Sequence, residues 1–147
     1  MGAWGDKIFD NDMSCDCLCD LMDSDDIISD MQTFMDDVLE CADDYIEYDS
    51  GAYGLAAACI IDAKLNGTYP EILTTDEDIP EEFSVILERI SKDEVLPLRE
   101  QAISVVRAVA SENSEIYELW EENEDSFPIV METYNKLIQR LENGKEN

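Results

Sequence analysis

Between Asp26 and Tyr48, apolar residues recur at Ile27, Met31, Phe34, Val38, Cys41 and Tyr45, four and three positions apart in strict alternation for about six turns. That spacing places them on one stripe of an α-helix, whereas a strand would alternate every second residue. A helix of this length cannot bury its stripe alone, so the rest of the chain must supply apolar partners. The flanking sequence supplies them as further helices. Asn11 and Asp12 are good N-cap residues for a short helix ending near Met22, and Ser24 or Asp25 is placed to cap the long one. Asp49-Ser50-Gly51 reads as a break, and Tyr53 to Leu65 follows as a helix so apolar that a central position is expected, closed by Asn66-Gly67.

Residues 68–79, with Tyr69-Pro70 and the acidic Asp76-Glu77-Asp78, form the longest irregular segment. Pro80 suits the first turn of a helix through Phe83, Ile86, Leu87 and Ile90. Another helix is expected from about Asp93 to Ala110, with Pro97 tolerable only near its start. Glu112-Asn113-Ser114 re-caps the chain into a short helix with Tyr117 and Trp120, and residues 127–142 make the last, with Ile129, Tyr134, Leu137, Ile138 and Leu141 as its apolar side. The expectation is an all-α, single-domain bundle of about seven helices over residues 1–147, without internal repeats. A chain of 147 residues is long enough for a real core.

Five cysteines, Cys15, Cys17, Cys19, Cys41 and Cys59, fall in the first 60 residues. No apolar run reaches the ~20 residues of a membrane helix, and the start Met1-Gly2-Ala3-Trp4-Gly5-Asp6-Lys7 lacks a signal peptide's basic and apolar regions. Gly2 alone does not make a myristoylation motif, because Asp6 stands where Ser or Thr is wanted. A cytoplasmic location and reduced thiols are therefore expected. The C-x-C-x-C run has no second cluster, no C-x2-C spacing and no histidine beside it. It reads as a weak thiolate metal signal, against a helical reading in which Cys15, Leu18, Cys19 and Met22 face the core and Cys17 faces out.

Thirty-seven acidic residues stand against nine basic ones, for a formal charge of −28, and histidine is absent. The absence removes Ser-His-Asp and Cys-His arrangements, His-ligated zinc and the commonest general base. Asp10-Asn11-Asp12 resembles the opening of a calcium loop, but Cys15 stands where that loop needs glycine and Leu21 where it needs glutamate, so capping is the better account. Gly51-Ala52-Tyr53-Gly54 lacks the lysine and preceding strand of a phosphate loop. Adjacent acids such as Asp43-Asp44 and Glu121-Glu122 diverge on a helix and cannot face one another as a dyad. No catalytic residue, metal site or cofactor is expected.

The charge is uneven. Residues 1–50 hold sixteen acids and one base, a net −15, against −7 for 51–100 and −6 beyond. On the expected long helix Asp26, Asp30, Asp37, Glu40, Asp44 and Glu47 share one stripe, flanked by Asp36 and Asp43, about 30 Å long at 1.5 Å per residue. Three readings follow. The stripe is a solvated face whose acidity serves solubility or a saline habitat. It engages a basic protein, as an immunity protein engages a nuclease-type toxin. Or it mimics nucleic acid and blocks a DNA- or RNA-binding defence enzyme. Direct nucleic-acid binding is opposed by the sign of the charge, and anionic membrane likewise. A non-enzymatic binding or inhibitor protein with a basic partner is the expected function, its oligomeric state left open.

Both ends of the chain carry a resemblance. Met1-Gly2-Ala3-Trp4-Gly5 with Phe9-Asp10-Asn11-Asp12 and an acidic first helix, the alanine-rich helix ending at Asn66-Gly67, and the stretch from Glu112 to Glu122 (ENSEIYELWEE) together resemble a bacterial family of small acidic proteins known only as a domain of unknown function. This chain departs from it in the first helix, where Ser14, Cys15, Cys17 and Cys19 replace the Ala, Leu and Trp more usual in the family. The resemblance implies a small helical bacterial domain and carries no activity with it.

Overall fold

The computed structural model describes residues 12–67 and 81–143. Their order is α1 (Asp12–Met22), α2 (Ile27–Cys41), α3 (Tyr48–Asn66), α4 (Glu81–Arg89), α5 (Lys92–Val95), a 3-10 turn (Leu96–Leu98), α6 (Arg99–Val109), α7 (Glu115–Glu121) and α8 (Phe127–Asn143). α5, the 3-10 turn and α6 run on as one helical stretch, with Pro97 early in the turn. Counted so, the described residues form seven helices and no strand, an all-α bundle as the periodicity requires. No helix among them is long and apolar enough to cross a membrane. The segments expected to hold Trp4, Phe9, Tyr69-Pro70 and Pro80 lie outside the described residues.

α3 is the axis. Thirteen of its nineteen residues are buried, on all sides of the helix, and α1, α2, α6 and α8 pack around it. Gly67, at φ 67°, ends it in the left-handed conformation that glycine adopts without strain, its N–H bonded to the Ala63 carbonyl. The start is earlier than the sequence suggests. Asp49, Ser50 and Gly51 form the first turns rather than a break, because α3 needs small residues where neighbours approach. A Cβ on Gly51 would lie 2.9 Å from Ile116 Cδ1, and one on Gly54 2.5 Å from Val38 Cγ2. Glycine in a helix costs roughly 1 kcal/mol relative to alanine, and close packing offsets it here.

α2 stops seven residues short of its expected end at Tyr48. At Ala42 the chain turns, and Ile46 pairs with the segment before α7: its N–H donates to the Asn113 carbonyl at 2.8 Å and its carbonyl accepts from the Glu115 N–H at 2.9 Å. Its buried stripe is Ile27, Met31, Met35 and Val38, so Phe34 and Cys41 are only partly covered and Tyr45 is exposed. Asp26, not Ser24 or Asp25, is the N-cap. α1 is also turned relative to expectation. Cys17, Leu18 and Leu21 are buried while Cys15 is half-buried and Cys19 exposed, so Cys17 belongs to the core. In α8 Ile129 is 52% exposed and Val130, Tyr134, Leu137 and Leu141 carry the packing. Ser114 caps α7 as expected, its Oγ accepting from the Tyr117 N–H.

Candidate functional site

The eight acids of the expected stripe fall into three groups. Asp30, Asp36, Asp37 and Glu40 remain on α2. Asp26 caps it, its Oδ1 accepting from the Ser29 N–H at 3.1 Å. Asp43 and Asp44 sit in the turn after α2, and Glu47 is the N-cap residue of α3, although its side chain makes no capping bond. The row is therefore not one helical stripe of about 30 Å. From Asp26 to Glu40 it spans about 21 Å at 1.5 Å per residue, and the last three acids leave its axis. Asp36 accepts a short hydrogen bond from Gln101 Nε2 of α6. The side chains of Asp30, Asp37 and Glu40 have no hydrogen-bond or ion-pair partner among the described residues.

Between α1, α2 and the start of α3 lies a cleft of about 340 Å³, lined by Met13, Phe34, Asp37, Asp49, Ser50 and Tyr53. Its aromatic wall is fixed. The Phe34 and Tyr53 rings meet edge to face, centroids 4.9 Å apart at 87°, and the Tyr53 hydroxyl donates to Asp20 Oδ2 at 2.7 Å. Partial burial, then this bond to a carboxylate, push the Tyr53 phenol well above its usual ionisation range. On the α1 side, burial and then nearby Asp20 push the Cys17 thiol up, and its Sγ–H points at the Tyr53 carbonyl, 3.9 Å away. Cys17 is thus a neutral packing group behind the cleft. Among the described residues no group of three or more potential metal ligands gathers.

Asp37 is the one residue shared by the expected stripe and the cleft. Sequence reasoning assigned Phe34 to the core and gave Met13, Asp49 and Tyr53 no functional role. Phe34 and Asp37, three apart on a helix, hint at a mixed apolar and acidic edge. Nothing local joins them to residues 49–53, which reach the cleft only because α3 begins at Tyr48.

A second polar centre lies within the fold. Asp62 of α3, 4% exposed, accepts from Arg140 Nε at 2.8 Å and from Asn66 Nδ2 at 2.7 Å, and Asn66 also donates to the Arg140 carbonyl. Burial, and secondarily Asp62, hold the neighbouring Cys59 thiol far above its usual range. This centre ties α8 to α3.

Fold and surface together define a small acidic α-helical domain with an acid-rimmed aromatic cleft beside α2. The family described as a domain of unknown function, DUF4259, matches residues 2–132, and the chain belongs to it. Comparison with curated proteins and with solved structures gives no match.

Proposed function

We propose that the chain is a non-enzymatic acidic binding protein of the inhibitor or immunity type, acting in a bacterial cytoplasm on a basic protein such as a nuclease-type toxin. One observation carries the reading: the side chains of Asp30, Asp37 and Glu40 project from α2 without a partner among the described residues, in a stretch from Asp12 to Ala63 that contains no lysine or arginine. Among the described residues no cation pairs with these three carboxylates, and an uncompensated field of one sign speeds encounter with the opposite sign. The nucleic-acid-mimic reading draws less support, because the row that would stand in for phosphates is about a third shorter than its expected ~30 Å.

The test begins with capture of the partner from the host, or with the product of the adjacent reading frame. Replacing Asp37, Glu40 and Asp44 together by Asn, Gln and Asn should slow association about three- to tenfold at low salt and flatten its salt dependence. An unchanged rate and salt slope would reduce the surface to a solvated face. Competition by DNA or RNA for the same partner site, across several unrelated enzymes, would favour the mimic.

A further inference from the structure

The cleft beside α2 has a composition that the charge alone does not explain. At about 340 Å³ it lies at the lower end of the ~300–1,000 Å³ typical of ligand sites. Its floor and wall are apolar, from Met13, Phe34 and Tyr53, while Asp37 and Asp49 bring two exposed carboxylates with no partner among the described residues. An apolar occupant would cover the floor but strip water from both carboxylates without replacing it. An acidic one would be repelled. A compact, strongly hydrated ammonium would meet the carboxylates but gain little from the rings. A guanidinium satisfies both requirements, since its plane stacks on an aromatic face while its fork of N–H donors reaches carboxylates.

In the edge-to-face arrangement of Phe34 and Tyr53 one ring's edge covers a single face of the other, so neither ring is stacked face to face on its neighbour and a face turned from that contact is left for a planar group. Tyr53 cannot swing to close the cleft while its hydroxyl is held by Asp20. The first basic residue after Asp12 is Lys64, near the far end of α3, and its Nζ donates to the Leu87 carbonyl at 2.8 Å. We propose that this cleft is a pocket for one arginine side chain of the basic protein partner, with Asp37 and Asp49 gripping the guanidinium, one of the two rings stacking it and the other walling its edge. The proposal rests on the reading that the chain binds a basic protein, and it adds the anchor residue that such an interface would centre on.

Titration of the full chain with the blocked tripeptide acetyl-Gly-Arg-Gly-amide, followed by amide chemical shifts at low salt, tests it without the partner. Shifts should cluster at Phe34, Asp37, Asp49 and Tyr53. The citrulline tripeptide, of the same shape but uncharged, should not bind, and the lysine tripeptide should bind about threefold or more weakly. Asp37→Asn with Asp49→Asn should weaken the arginine tripeptide about tenfold, while Asp43→Asn with Asp44→Asn, an equal loss of charge outside the cleft, should change it less than about twofold. Equal weakening in the two double variants, or shifts scattered over the acidic surface, would overturn the pocket and leave the basic-partner reading standing. That reading fails separately, if the triple variant associates with the captured partner at the unaltered rate.

Discussion

In the C-terminal part of the molecule carboxylates meet cations: Arg107 reaches Glu142 at 3.0 Å, Lys136 reaches Glu132 at 3.3 Å, and Arg140 of α8 reaches across to Asp62 at 2.8 Å. Around α1 and α2 they meet neutral donors instead. Asp26 takes a backbone N–H, Asp36 the amide of Gln101, and Asp20 the hydroxyl of Tyr53. The same holds where the α2–α3 turn meets α7, since Tyr45 donates to Glu118 at 2.6 Å. A hydrogen bond from a neutral donor satisfies a carboxylate's lone pairs and leaves its charge in place. One side of the protein therefore uses its acids for architecture, and the other is ordered without surrendering its field.

That contrast can be broken first at its strongest point. Arg140→Ala removes the only cation that buried Asp62 meets among the described residues, leaving it the Asn66 amide, and should cost about 3–5 kcal/mol. Chemical denaturation measures it, and a loss under about 1 kcal/mol would show that the pair is incidental to the packing of α8 on α3.

Alkaline titration probes the neutral donors. The bond to Glu118, chiefly, and the carboxylates around it push the Tyr45 phenol up to about 12, against the usual value of about 10. A proton held more tightly when folded means that Tyr45 contributes its stability in full below about pH 10 and loses it as the pH rises through about 12. Ultraviolet titration should show Tyr45 ionising late in the native protein, by comparison with Tyr45→Phe. Ionisation at the usual pH would mean that the Tyr45–Glu118 contact does not form.

The smallest effect is expected on α2 itself. Asp37→Asn with Glu40→Gln relieves like-charge neighbours three and four residues apart, worth about 0.2–0.5 kcal/mol per pair, so the variant should be as stable as the parent or slightly more so. Salt should likewise raise the parent's melting temperature by screening its self-repulsion. If the variant instead loses as much stability as Arg140→Ala, these acids belong to the architecture and the contrast collapses.

The helical class, the central place of α3, its glycine stop and the Ser114 cap were all legible, because each rests on local pattern or local chemistry. Three features were not. In α1 the ring of positions containing Leu18 fits two faces about one residue apart, and only the wall presented by α3 selects the one that buries Cys17. The Asp49-Ser50-Gly51 run has the composition of a break, and its helical role depends on Ile116, more than sixty residues away. Likewise the pattern through Cys41 and Tyr45 is unbroken, with no glycine or proline to warn of a turn. The spacing of the eight acids predicts a row on one axis, and half of that row stands on α2; the apolar half of the cleft depends on pairing α2 with α3.

The stop at Ala42 is imposed from a distance. Ile46 is clasped between Asn113 and Glu115, Asn113 Nδ2 donates to the Ala42 carbonyl at 3.2 Å, and Glu115 Oε1 accepts from the Tyr48 N–H at 2.9 Å. Until the α6–α7 connection arrives, nothing in the local sequence prevents α2 from running on toward Tyr48, since side-chain period and backbone bonding both favour continuation. The clasp closes a loop of nearly seventy residues, the kind of contact whose chain-entropy cost falls late in folding. The corner between α2 and α3 is therefore expected to set late in folding, after the helices it separates.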